Sequence, residues 1–261
     1  MVISIWVENS GNHIERAGFM KRQVPLFLSS LTLAFSFAAH GQGTFQNLDF
    51  ESAAPAAIPG DPYRRVTFES AFPGWVGYAG GVRQAASLSN SWFLDSSGIA
   101  IIDKAWPYQS SFGGASVISG NYTVLLQAGF SLSSQITEAD VTLSQESLIP
   151  VSAMSLSFRA YSWRGYDSLR VSLGGQNLEF VPLQTLTNHV IFGADIQPWQ
   201  GQMARLDFTV ISTKLLTGPN NDIFLDAIQF SVQPIPEPAT FGLIALGAVA
   251  LAAGMLKRNR S

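Results

Sequence analysis

The 261-residue chain contains no cysteine, which excludes a disulfide framework, a thiolate metal centre and a cysteine nucleophile. Histidine is almost as scarce. Of the three histidines, His13 and His40 precede Gly43 and only His189 lies between Gly43 and Gln233, so paired-histidine metal sites are excluded there. Charged residues make up 13% of the chain. Between Gly43 and Gln233 nine Lys and Arg face fifteen Asp and Glu, a net of -6, which makes nucleic acid an unsuitable partner. Catalytic signatures are missing too. No G-x-S-x-G elbow accompanies His189 to build a Ser-His-Asp triad, and SGNYT and SFGGAS lack the spacing of a phosphate-binding loop. No segment between Gly43 and Gln233 shows a helical period.

Apolar residues reach 47%, and part of that excess lies in the two end segments. Lys21 and Arg22, an apolar stretch from Val24 to Ala39 and the small residues Ala39 and Gly41 follow the order of a secretory signal peptide, with cleavage expected between His40 and Gly43. Residues 1–19 resemble neither a transit peptide nor a domain start. Met20 is therefore the expected initiator, residues 1–19 a mis-assigned extension and residues 20–42 the signal peptide. At the other end, the stretch from Ala239 to Met255 carries no charge. As a helix it spans about 25 Å, near the lower limit for crossing a bilayer's hydrocarbon. A single transmembrane helix is expected over residues 239–256. The basic tip Lys257, Arg258 and Arg260 is retained on the cytoplasmic side, which faces the preceding domain outward. Pro234, Pro236 and Pro238 prevent a continuous helix or strand and make an extended joint that a processing enzyme could grip.

Pro236-Glu237-Pro238, Ala239-Thr240, the Gly-containing apolar run and the basic tip together resemble the PEP-CTERM sorting signal. The resemblance covers about a tenth of the chain, residues 234–261. It implies an exosortase, a membrane-embedded transpeptidase-like protease, as partner. It also implies an inner-membrane-anchored precursor, then a place on the cell surface or in the extracellular matrix of a Gram-negative bacterium that makes exopolysaccharide. A plain C-terminal membrane anchor would keep the same topology and lose only the cleavage.

Residues 43–233 read as β throughout. Met154, Leu156, Phe158 and Ala160 alternate with polar or larger neighbours, as do Leu169, Val171 and Leu173, and Leu206, Phe208 and Val210. Gly174-Gly175 marks a tight hairpin. Short strands between Gly, Pro, Ser and Asn turns predict an all-β fold, a two-sheet antiparallel jelly-roll sandwich. The phrases NLDFESA, FPGWVGY, SGNYTVLLQAG, SLSFRAYSWRGYDSLRVSLGG and DIFLDAIQFSV, in that order, resemble the galactose-binding-like jelly rolls of secreted carbohydrate-binding modules. That resemblance implies a structural calcium ion between the first and last strands, with Glu51, Asp226 and Asp49 at the matching positions. Independently, Asp226 is expected to share a strand face with Phe224, Ile228, Phe230 and Val232, which is costly unless something pairs with it. Calcium would serve. Hydrogen bonds from backbone amides or an arginine would serve equally.

Tyr161 and Trp163 continue the face of Arg159, and flat rings beside an arginine suit stacking on sugar, so these three are the candidate ligand contacts. Trp92, Trp106, Tyr108, Tyr166 and Trp199 lie in turn-rich stretches, where packing is the commoner role of an aromatic. Carboxylate pairs for glycoside hydrolysis depend on the fold, and none stands out. The reading is a non-enzyme: a structural or interaction protein of the cell surface or exopolysaccharide matrix. The alternative is a carbohydrate-binding module for a polysaccharide, and a glycoside-active enzyme comes third.

Overall fold

The computed structural model describes residues 44–63, 65–92, 96–107, 117–131, 134–212 and 221–235. The start extension, the signal peptide, the sorting tripeptide, the 239–256 run and the basic tip lie outside the described residues. Among the described residues no helix is long and apolar enough to cross a membrane.

The strands in chain order are β1 (Val66–Thr67), β2 (Val76–Ala79), β3 (Val82–Arg83), β4 (Ala86–Ser89), β5 (Gly98–Asp103), β6 (Tyr122–Ser131), β7 (Ser134–Ala139) and β8 (Val141–Leu148). They continue as β9 (Ser155–Tyr161), β10 (Leu169–Leu173), β11 (Gln176–Asn177), β12 (Phe180–Thr185), β13 (Val190–Asp195), β14 (Met203–Val210) and β15 (Asn221–Ser231). One sheet has the order β1-β4-β5-β6-β15-β9-β13-β12, with β7 on the far half of β6, and the other has the order β11-β10-β14-β8-β2-β3. From β8 to β10 and from β13 to β15 the chain changes sheet at every connection, so neither sheet folds without the other. The two-sheet sandwich is the expected architecture. It departs from pure antiparallel pairing at β4 and β5, which run parallel, and the described residues include a helical turn, Phe68–Ala71, and a 3-10 turn, Gln197–Trp199.

The alternating residues fill the space between the sheets. Leu156, Phe158 and Ala160 of β9 and Ile223 and Leu225 of β15 face Leu206, Phe208 and Val210 of β14, each fully or almost fully buried. Gly174 and Gly175 close the β10–β11 hairpin with φ of +59° and +80°, as a type I′ turn requires. The NLDFESA phrase is not a strand. It is a run of turns laid over the core, with Asn47 and Phe50 at φ of +50° and +59°. Phe50 is fully buried against Phe72 and Trp75, and the Gln145 side chain binds both the N–H (2.6 Å) and the C=O (2.9 Å) of Gln46. Ile228 N–H donates to the Leu48 carbonyl at 2.9 Å, which fastens this opening segment to the closing strand.

A bulge corrects the expected face of Asp226. Register along β15 shifts between Asp226 and Gln229, and Ala227 sits at φ +46°. The extra residue sends Ile228 and Phe230 into the core between the sheets, while Phe224 packs on the outer face of the larger sheet. That outer face carries a second apolar cluster of Leu88, Ala100, Ile102, Trp106, Ile118, Leu125 and Phe224, edged by Trp92, Tyr161 and Trp163.

Candidate functional site

Asp226 has no solvent exposure. Its Oδ2 accepts hydrogen bonds from the Thr123 hydroxyl (2.7 Å) and the Ser119 N–H (3.0 Å), and its Oδ1 accepts one from the Ala227 N–H (2.6 Å). Thr123 lies on β6, which pairs with β15, and its hydroxyl oxygen in turn accepts the Ile118 N–H at 2.8 Å. The Ala227 N–H is available because the bulge turns it back toward its own neighbour's side chain. Burial drives the Asp226 carboxyl up to about 7 even against these three donors, and the nearby Glu51 charge pushes in the same direction. Asp207, by contrast, is buried beside a cation: it accepts from Ser144 Oγ (2.6 Å) and from Arg205 Nε (3.0 Å).

Glu51 reaches the same loop from the opening segment. Its Oε1 accepts the N–H of Asn121 (2.7 Å) and of Tyr122 (3.0 Å), and its Oε2 accepts the Asn121 side-chain amide (2.7 Å). Burial alone would raise its pKa, but these bonds and the Lys104 ammonium together hold it below the ordinary glutamate value. Gly120, at φ +64°, leaves room for that carboxylate where any Cβ would collide with it. Asp49 is exposed, and its Oδ1 accepts the Glu51 N–H at 3.2 Å, so it braces Glu51 from outside.

These groups can be tested against the calcium that the jelly-roll resemblance implies. Asp226 Oδ2 and Glu51 Oε1 each already accept two donors, while Oδ1 and Oε2 accept one each and keep a lone pair. The two carboxylates repel, and a hard divalent cation between them would relieve that repulsion. Among the described residues no group of three or more His, Cys, Asp or Glu could hold a metal, so the rest of such a shell would have to come from carbonyls or water. Two carboxylates are all the charge that the described residues would bring to such a cation. Amide hydrogen bonds already perform the task of satisfying Asp226. Arg159, its register partner on β9, donates no hydrogen bond to it.

The candidate ligand residues lie together on the outer face. Tyr161 and Trp163 are half-buried, with ring centroids 6.1 and 5.9 Å from Phe224, and Trp92 meets Trp106 edge-on at 6.3 Å. Trp106 is 2% exposed and belongs to the packing, and Trp199 and Tyr166 pack against the inner core. Tyr108 lies outside the described residues. Arg159 makes no ion pair or side-chain hydrogen bond with a described residue. It lies close enough to His189 to depress the imidazole pKa together with burial, which is the larger cause. His189 Nδ1 is 2.9 Å from Asn188 Oδ1, while the buried Nε2 meets no partner among the described residues. Sequence reading missed Thr123 and Ser119, although SGNYT, with a glycine ahead of a β-branched hydroxyl, was the available signal. An open hollow of about 390 Å³ beside β10, β11 and β12, lined by Tyr166, Arg170 and Glu179 among others, includes none of the candidate residues.

Beyond β15 the chain stays attached for four residues. Ser155 Oγ donates to the Gln233 carbonyl at 2.7 Å, and Ile235 covers Gly193 beside Leu183, at a spot that any larger residue at 193 would fill. Residues 234–258, beginning at this attachment, match the family described as the PEP-CTERM protein-sorting motif. The chain carries a PEP-CTERM tail. No curated protein and no solved structure shows a match to the chain. The PEP-CTERM motif makes this an exported protein with a membrane-anchored precursor and an exosortase as its processing partner.

The Asp226 site yields a prediction with a definite sign. Its folded pKa, about 7, lies above the ordinary aspartate value of 3.8. Its contribution to stability is therefore whole at low pH and is lost as pH rises from about 4 through about 7. In chelator, the melting temperature of wild type relative to Asp226→Asn should fall between about pH 4 and about pH 7. The Asp226→Asn variant starts lower, because its new amide meets a backbone donor, but its curve lacks this slope. Saturating calcium should remove the slope from wild type only. A gap that does not change with pH in chelator would show that Asp226 does not titrate in this range.

Proposed function

We propose that the chain is a non-catalytic structural or interaction protein of the cell surface or exopolysaccharide matrix of a Gram-negative bacterium, delivered there by its PEP-CTERM tail. The observation that carries this reading is the match of residues 234–258, which addresses the protein to an exosortase, joined directly to a folded sandwich. The chemistry of the sandwich supports a passenger without catalysis. The carboxylates of Glu51 and Asp226, close enough to interact, are engaged by backbone donors, and Asp226 is fully buried. Calcium belongs to this proposal as a structural ion held by Asp226 and Glu51, binding the two ends of the domain more firmly without entering any reaction.

A second reading, a carbohydrate-binding module, is favoured by a specific observation: Arg159 has no ion partner among the described residues and shares the outer face of β9 with the half-buried Tyr161, at the edge of the cluster that Trp163 also borders. Rings stack on the apolar face of a pyranose, and an unpaired guanidinium binds its oxygens. The readings coexist if the matrix polysaccharide is the ligand. On a glycan array the exported protein should bind a polysaccharide, and Arg159→Ala and Trp163→Ala should each weaken binding about tenfold or more while leaving the melting temperature within a few degrees. Binding to no polysaccharide would leave the structural role alone.

Delivery is tested at Glu237. An anchor depends on the apolar length and the basic tip, to which Glu237 adds nothing, whereas a sorting signal needs it. In the native host, wild type should lose about 2 kDa from its C-terminus and leave the inner membrane, and Glu237→Ala should stay full length within it. Recovery of the Lys257-to-Ser261 peptide from exported wild-type protein would reduce the tail to an anchor.

A further inference from the structure

The chain does not leave the sandwich where β15 ends. Residues 232–235 run over the outer face of the larger sheet, from β15 across β9 to β13. Met154 N–H donates to the Ser231 carbonyl (2.7 Å), Ser231 Oγ accepts the Gln233 N–H (3.0 Å), and the buried Ser155 hydroxyl on β9 donates to the Gln233 carbonyl (2.7 Å). Two residues on, Ile235 lies over Gly193 of β13, where its Cδ1 meets the end of Leu183 from the edge strand β12. Gly193 pairs with Ser157 on one side and Val181 on the other, and it leaves a gap in that row: a Cβ there would overlap both Ile235 Cδ1 and the Leu183 side chain. The Gly193 φ is not positive, so the position uses the missing side chain and not the backbone freedom of glycine.

This strap shares residues with the sorting motif. The PEP-CTERM match begins at Pro234, so Pro234 and Ile235 belong both to the motif and to the packed surface. An exosortase and the sandwich therefore compete for them. A segment that must be released before a partner can take it weakens that partner's binding by the fraction of time that it is free. Chain length acts in the same direction. Glu237 is two residues, about 7 Å of extended chain, beyond a residue held on the sheet, whereas release back to the end of β15 lengthens that reach to about 20 Å. A short free segment forces the folded domain against the enzyme that takes the tripeptide, and a long one does not. We propose that residues 232–235 are a strap that holds the start of the sorting motif on the sandwich, that exosortase acts on the released form, and that Gly193, Leu183 and Ser155 are positioning residues that set the rate of processing. This rests on the reading of the tail as a sorting signal.

The test uses the full-length precursor in native-host membranes that contain exosortase. Gly193→Val adds a side chain that suits a strand but fills the seat of Ile235. It should raise hydrogen exchange over residues 232–235 while β6 and β14 stay protected, and the tail should be lost about fivefold faster than from wild type. The opposite state uses the absence of native cysteine: Leu183→Cys together with Ile235→Cys, bridged by a reductant-cleavable cross-linker, holds the strap down. The bridged precursor should resist processing, and reductant should restore it in the same sample. A strap released by Gly193→Val without faster loss of the tail overturns the proposal, as does a bridged chain processed at the unbridged rate or a Gly193→Val strap that stays protected. Slower loss from Gly193→Val also overturns it, and shows that the sandwich presents the motif instead. Should Gly193→Val unfold, exchange in β6 and β14 reports it and the bridged pair decides. If wild type is never cut and keeps Lys257 to Ser261, the sorting reading fails first, an outcome distinct from all of these.

Discussion

A carboxylate placed beneath a loop, away from water and with no hydrogen bond from a cationic side chain among the described residues, is the constraint to which the surrounding structure answers. Burying Asp226 uncompensated would cost several kcal/mol, comparable with the whole stability of a domain. Each nearby irregularity reduces that cost. The bulge at Ala227 brings an N–H to Oδ1, the 117–121 loop lays Ser119 over Oδ2, and Thr123 reaches across from the adjacent strand. Glu51 then fixes the loop from the other side through Asn121 and Tyr122. The first turns of the domain, its middle loop and its last strand are thus joined by two carboxylates rather than by a disulfide, which a chain without cysteine cannot form.

Much of the sandwich could be read from alternation alone, because a two-residue period assigns a face whatever the partner strand is. Leu156, Phe158 and Ala160, and Leu206, Phe208 and Val210, point inward as their spacing demands. The same reasoning misassigned Ile228 and Phe230, since one bulge residue inverts every face beyond it and no pattern in LDAIQFSV marks where the bulge falls. Asp226 was legible as a buried carboxylate, but its donors are mostly backbone N–H groups, which every residue carries and no sequence distinguishes. NLDFESA read as a first strand only through its resemblance to the opening phrase of a jelly roll. It forms turns instead, because Asn47 and Phe50 take left-handed conformations and the Gln145 side chain supplies the bonds a neighbouring strand would have made.

Tyr161 and Trp163 edge the apolar cluster on the outer face of the larger sheet, the face that Arg159 shares on β9. Ile235 packs on that same sheet over Gly193, so the folded domain holds the first residues of the 234–258 match to the PEP-CTERM motif.

The most direct check on the buried carboxylate is its own titration, read from the side-chain carboxyl carbon by NMR with Asp226→Asn to assign the resonance, in calcium-free buffer. A midpoint near 7 is the expected result. A midpoint near the ordinary aspartate value of about 4 would mean that water or a cation reaches Asp226 and that the loop does not seal it.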